Sequence, residues 1–199
     1  GGPAVVIDAP PDPEEIGAIL VKHDLTPVAL LVTHGHIDHA GGAGGVVRAT
    51  GVPAYVHPDD DYLTLHPADQ LRMLFGVAID ENQAAPFTPP DHFEALAGGQ
   101  QLDMAGLTFE VLHTPGHTPG HCCFLLSDAG VLFSGDQLFA GSIGRTDLPG
   151  GDYDTLMQSM ASQVLPLPED TEVLPGHGPA TTLARERLIN PFLHELIGP

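Results

Sequence analysis

Three histidines and an aspartate fall within the six positions His34-Gly35-His36-Ile37-Asp38-His39, directly after the apolar run Val28-Ala29-Leu30-Leu31-Val32. Crowded imidazoles are costly, because protonating one raises the cost of protonating the next. A dication reverses this, since neutral imidazole nitrogens and carboxylate oxygens are its natural ligands. So many metal-binding side chains at the end of an expected buried strand make a metal site the leading reading.

Three later segments supply the same chemistry. His117 lies in Thr114-Pro115-Gly116-His117-Thr118, Asp136 in Phe133-Ser134-Gly135-Asp136, and His177 in Pro175-Gly176-His177-Gly178. Each follows or ends an apolar, β-rich stretch. Ligands at strand ends held by Gly and Pro turns are how a rigid sheet aims side chains at one point. Each of the three alone reads as a turn residue; their force lies in the set.

These residues carry a family resemblance. The pattern His-x-His-x-Asp-His, followed by a distant His, Asp and His, resembles the signature of the metallo-β-lactamase superfamily. Within it the chain is similar to the small glyoxalase-II-like hydrolases. That narrower likeness rests on Gly144-Arg145-Thr146-Asp147-Leu148-Pro149-Gly150-Gly151-Asp152 and on the tail from Pro175-Gly176-His177 to Asn190-Pro191-Phe192-Leu193. The resemblance runs from about Val5 to Leu193. It implies an α/β fold, the αβ/βα four-layer sandwich of that superfamily, spanning 1–199 as one domain. Family members usually begin with one or two strands ahead of the one matching Val5–Asp8. This chain starts at Gly1, so either it is truncated or it dispenses with those strands, and the latter would leave an unpaired sheet edge.

The resemblance also implies the roles. His34, His36 and His117 would hold a first divalent ion, Asp38, His39 and His177 a second, with Asp136 bridging. Zinc is the first expectation, and iron or manganese suit the same donors. A hydroxide generated between the ions would attack an acyl carbonyl, with Asp38 orienting it and a thiolate leaving. The implied reaction is hydrolysis of a thioester such as S-lactoylglutathione. Arg145 is a candidate for a substrate carboxylate, or else pairs structurally with Asp147 or Asp152. Asp8 departs from the family's usual Asp-Pro-Gly, since Ala9 and Pro10 follow, but remains placed to support the metal loop. His57, His113 and His121 read as hydrogen-bonded neighbours rather than ligands.

Three alternatives compete. A persulfide dioxygenase would use a single iron on His34, His117 and Asp136. A lactonase or β-lactamase would use the same centre on another acyl group. A scaffold protein with a decayed site is disfavoured by the intact ligand set. The larger glyoxalase II enzymes carry a helical region that helps hold glutathione, and the chain ends soon after Phe192, so another small thiol is open.

Composition narrows the partners. Asp and Glu outnumber Lys and Arg by 26 to 6, a net charge of −20. Such a surface repels phosphate backbones and anionic lipid, so neither nucleic acid nor membrane is expected. No apolar run approaches the roughly 20 residues that span a bilayer. No secretory leader is recognisable, and the adjacent Cys122 and Cys123 read as small buried strand residues, consistent with a reducing cytoplasm. Oligomeric state is not legible.

The expected elements alternate. Ala4–Asp8 is a strand, Asp12-Pro13-Glu14-Glu15 starts a helix running to His23, and Val28–Thr33 is a buried strand restarting after Pro27. Gly41–Gly45 lacks the ending of a phosphate loop and reads as close backbone packing before a helix near Thr50. Pro53–His57 is a strand, 59–75 carries short helices, and Ala84–Asp91 is loop. Leu107–His113 and Cys122–Ser127 are strands, Tyr153–Val164 a helix, Thr171–Leu174 a strand and Thr181–Leu188 the last helix.

Overall fold

The alternating apolar runs and capped turns become strands and helices in the computed structural model, which describes residues 1–76 and 80–198. They group into two units, Gly1–Leu96 with Met104–Gly106, and Ala97–Asp103 with Leu107–Pro199. No shift in composition marks the boundary.

The first unit contains β1 (Gly2–Ile7), α1 (Pro13–Lys22), β2 (Leu25–Leu31), α2 (Ile37–Ala40), α3 (Ala43–Thr50), β3 (Ala54–Val56), α4 (Asp61–Thr64), α5 (Pro67–Phe75), α6 (Glu81–Ala84) and β4 (Glu94–Ala95). Its sheet has the order β1-β2-β3-β4 with parallel neighbours, and β1 lies at an edge. Helix α1 starts as expected. The Asp12 carboxylate accepts the Glu15 N–H at 3.1 Å, Pro13 needs no donor there, and Glu14 and Glu15 face the positive end of the helix dipole.

Strand β2 begins at Leu25, three residues before the expected restart. Pro27 has no N–H to give, and the ladder absorbs it with a bulge: Ala4 pairs with Pro27 and Val5 with Ala29, passing over Val28. Leu30, Val32, Val46 and Val56 form the core of this unit with Val6 and Ile16 packed against them. Truncating Leu30, fully buried, to alanine is expected to cost about 2–5 kcal/mol.

The expected loop at Ala84–Asp91 is partly structured. It receives the end of α6 and a 3-10 turn over Ala85–Phe87. The cause is a reciprocal cap: Asp80 Oδ1 accepts the Gln83 N–H at 2.9 Å while Gln83 Oε1 accepts the Asp80 N–H at 3.0 Å.

The second unit contains β5 (Gln101–Met104), β6 (Leu107–His113), β7 (Cys122–Leu126), β8 (Val131–Gly135), β9 (Leu138–Phe139), β10 (Ser142–Ile143), α7 (Tyr153–Ser159), β11 (Glu172–Pro175), β12 (Thr181–Thr182), α8 (Leu183–Ile189) and α9 (Pro191–Ile197). Its main sheet runs β12-β11-β8-β7-β6-β5, and β9 and β10 form a separate hairpin. Strand β7 is antiparallel to β6 and β8, while β11 lies parallel to β8. Leu132, Leu156, Met160, Val173, Leu183 and Leu193 are buried in its core.

The helix expected over Tyr153–Val164 is present, but its second half, Met160–Val164, is a π turn closed by Leu165 N–H to Met160 C=O at 2.9 Å. The helix at 183–189 is not the last. Asn190 ends α8 and caps α9, its Oδ1 accepting the Phe192 N–H at 3.1 Å with Pro191 at the first helical position. No helix among the described residues is long and apolar enough to cross a membrane.

Candidate metal centre

In the first unit, β2 ends one residue before Val32, and the next turn carries the whole ligand loop. His34 is fully buried and His39 nearly so. The rings of His34 and His36 meet edge to face at 4.9 Å between centroids, and those of His34 and His39 lie 4.1 Å apart. Asp38 and His39 sit on the single turn of α2, which sets His39 Nε2 at 3.8 Å from Asp38 Oδ2.

Asp8 organises this loop. It adopts φ +61°, a left-handed conformation that aspartate tolerates better than most residues. Its Oδ1 accepts the Thr33 N–H at 2.7 Å, and its Oδ2 accepts the Thr33 hydroxyl at 2.9 Å and His39 Nδ1–H at 2.8 Å. The outer-support role expected for Asp8 is what the geometry shows.

These bonds fix proton positions. A carboxylate only accepts, so His39 carries its proton on Nδ1 and presents Nε2 as a lone-pair donor. The Thr33 hydroxyl has one proton, given to Asp8. Its 3.0 Å bond to His34 Nδ1 must then be donated by His34, which puts the His34 lone pair on Nε2 as well. Carboxylate, hydroxyl and imidazole in sequence are how metal-binding histidines are oriented.

In the second unit, two strand ends and one turn carry the other candidate ligands. Parallel pairing of Pro175 with Gly135 sets the ends of β8 and β11 side by side, locked by Gly176 N–H to Gly135 C=O at 2.8 Å. Asp136 and His177 extend from these ends, and His117 from the turn between β6 and β7. Gly116 before it must be glycine: φ is +133°, and a Cβ would lie 2.2 Å from the Leu156 nitrogen.

Asp136 Oδ2 lies 3.4 Å from His117 Nε2 and 3.7 Å from His177 Nε2. Both separations exceed the roughly 2.7–3.2 Å of an N–H···O hydrogen bond. They match donor atoms on a shared tetrahedral ion, which bond lengths of about 2.0–2.2 Å place about 3.4 Å apart. The donor set therefore fits a divalent metal. His117 Nδ1–H is given to the Arg145 carbonyl at 2.7 Å, again assigning the lone pair to Nε2.

His121 has the same tautomer and a different task. It is fully buried, its Nε2 accepts the Asp136 backbone N–H at 3.0 Å, and its Nδ1 bonds the Thr114 hydroxyl at 2.8 Å. It holds the residue that would bridge two ions. His113 donates Nε2–H to the Pro119 carbonyl at 2.9 Å, and His57 Nδ1 accepts the Asp59 N–H at 3.3 Å.

The Arg145 guanidinium is exposed and bidentate with Asp147, at 2.7 Å for both bonds. This is the structural pairing set beside a substrate role in the sequence reading. The donated bonds hold the Asp147 carboxyl down at about 2. Burial pushes the Cys123 thiol up to about 12, so it is no nucleophile at neutral pH.

Sequence reasoning named all seven ligand candidates and Asp8. It missed the Arg145 carbonyl, because a backbone acceptor has no residue signature. It also missed Asp60 and Gln70, fully and almost fully buried polar residues that touch the ligand loop from 58–75. Their only signal was polarity in a stretch of irregular short helices.

Comparison with known proteins agrees with this geometry. The sequence profile of the metallo-beta-lactamase superfamily matches residues 1–177. Hydroxyacylglutathione hydrolase GloC of Haemophilus influenzae is 38% identical, over 96% of this chain and 87% of that protein. The crystal structure of BLEG-1 B3 metallo-beta-lactamase is 41% identical with a TM-score of 0.84, covering 96% of this chain and 88% of that one. TTHA1623, solved in a di-iron-bound form, is 42% identical with a TM-score of 0.82, over 94% and 88%. The fold class is the α/β fold of that superfamily, as the resemblance implied. With a profile spanning most of its length and relatives this similar, the chain belongs to the metallo-β-lactamase superfamily.

Proposed function

We propose that this metal-dependent hydrolase cleaves a thioester, with S-lactoylglutathione as the model substrate. In this reading His34, His36 and His117 hold one divalent ion, Asp38, His39 and His177 hold another, and Asp136 serves both. The observation that carries it is the setting of His117 and His177 Nε2 at 3.4 and 3.7 Å around Asp136 Oδ2. When bound, such ions lower the pKa of water toward neutrality and polarise an acyl carbonyl.

The chain's own residues do the rest. Asp8, Thr33 and the Arg145 carbonyl keep three imidazoles in the Nδ1–H form, so that each offers Nε2. Asp38, half exposed beside His39, orients the attacking water. A thiolate is a good leaving group, so no strong general acid is required. A substrate carboxylate would reach Arg145 by exchanging with Asp147. Zinc is the expected metal, and the di-iron form of TTHA1623 keeps iron open. In this reading the partner is a small acyl-thiol; the acidic composition speaks against nucleic acid and membrane, and the two buried free thiols are consistent with a cytoplasmic location.

The likeness to GloC favours a thioester, and that to BLEG-1 favours a lactam as the second reading. The test is hydrolysis of S-lactoylglutathione by metal-replete protein beside a chromogenic cephalosporin, with Asp136→Ala as control. Metal-dependent turnover of the thioester, lost in the variant, supports the proposal. Turnover of the cephalosporin alone overturns it.

A further inference from the structure

We propose that Gln70, anchored on the Leu63 carbonyl, is a positioning residue that shapes the ligand loop around His36. The inference rests on the reading of His34, His36, Asp38 and His39 as metal ligands. It starts from a conflict at the N-terminus of α2. Helices begin with exposed N–H groups, which a Ser, Thr, Asp or Asn at the cap position normally satisfies. Here the cap position is His36, whose side chain makes no cap bond. A residue needed as a ligand is not available to cap.

Gln70 supplies what His36 does not. Its Oε1 accepts the Ile37 N–H at 3.0 Å, the first donor of the helix, from 33 residues away. Its Nε2 donates to the Gly35 carbonyl and to the Leu63 carbonyl, both at 2.9 Å. One primary amide thus holds the backbone on both sides of His36 and ties it to α4. Asp60, fully buried, completes the grip by accepting the Gly35 N–H at 2.7 Å.

The same segment presses on Gly35. A Cβ there would meet Leu63 Cβ at 2.8 Å and Asp60 Cβ at 3.1 Å. Gly35 therefore has neither steric room nor a spare backbone hydrogen-bonding group. The spacing of the two imidazoles is set by a mould made from 60–70, not by the loop's own sequence. An amide is the side chain the mould requires, since it must accept from one peptide and donate to two others.

The test is zinc affinity, measured by competition with a chromophoric chelator on Gln70→Met and Gln70→Glu. Methionine keeps the length and loses every hydrogen bond, and glutamate keeps the acceptor for Ile37 but loses the donor. The control is Val173→Ala, a core change in the second unit, with thermal midpoints of the metal-free proteins recorded alongside. Gln70→Met is expected to weaken zinc binding about 10- to 100-fold, the range for residues that orient ligands, with Val173→Ala unchanged. If Gln70→Met does not fold, Gln70→Glu must show a loss of at least about tenfold. Zinc affinity within about threefold of wild type, or an equal loss in the control, overturns the proposal. A wild-type chain that binds no zinc, iron or manganese instead overturns the ligand reading beneath it.

Discussion

The two groups of candidate ligands reach similar chemistry by opposite routes. In the first unit the candidate ligands fall within six positions, and apart from Thr33 beside His34, what orients them comes from side chains far along the chain: Asp8, 25 and 31 residues from its partners, Asp60 at 25, and Gln70 at 33 and 35. In the second unit the ligands are far apart in sequence, and the sheet orients them. The pairing of β8 with β11 places Asp136 and His177, and a backbone carbonyl fixes His117. A loop needs outside side chains to hold its shape, whereas strand ends inherit theirs from the ladder. Substitutions around the ligands should accordingly cost more in the first unit than in the second.

The largest expected effect removes a ligand rather than a support. Asp136→Ala should lower metal affinity by more than the about 10- to 100-fold range of orienting residues, and abolish turnover. Equilibrium dialysis with elemental analysis checks it.

Asp8→Ala comes next. It strips the acceptor from the Thr33 N–H, the Thr33 hydroxyl and His39 Nδ1. Metal affinity should fall about 10- to 100-fold, and stability by about 1–3 kcal/mol for a buried donor left unmatched. Asp8→Asn, which tolerates the same backbone conformation, should lose less in a urea titration.

His121→Phe tests the weaker dependence of the second unit. It leaves the Asp136 N–H without its 3.0 Å acceptor but keeps the sheet that places Asp136. A stability loss of about 1–3 kcal/mol is expected, with a smaller fall in metal affinity than for Asp8→Ala. The reverse order would break the comparison.

The smallest effect is expected from Arg145→Ala, because the carbonyl that holds His117 survives. Metal content and kcat at pH 7 should be unchanged, and a rise in KM for S-lactoylglutathione would mark a substrate contact. The Asp147 carboxyl sits at about 2, below its ordinary 3.8, so the stabilisation it contributes is present above 3.8 and lost as pH falls through about 2. The variant should therefore match wild type in acid unfolding near pH 2 and differ only above it.

What the sequence disclosed follows the same division. The candidate ligands stood out because histidine and aspartate clustered at strand ends have few other uses, and Asp8 was legible because it ends the neighbouring strand. Gln70 was not: one glutamine in a short helix looks like any solvated polar residue until the fold buries it. The start of β2 was misplaced because a bulge that accommodates Pro27 depends on its partner strand. Helix α9 was overlooked although Asn190-Pro191 is a helix start in its own right.

The most direct test of the central claim is the number of metal ions per chain in protein loaded under zinc, iron or manganese and stripped of loose ions. The proposed seven donors predict two ions per chain in the wild type, falling in Asp136→Ala. A single iron per chain, unaffected by loss of Asp38 or His177, would contradict the account and point to a mononuclear oxygenase.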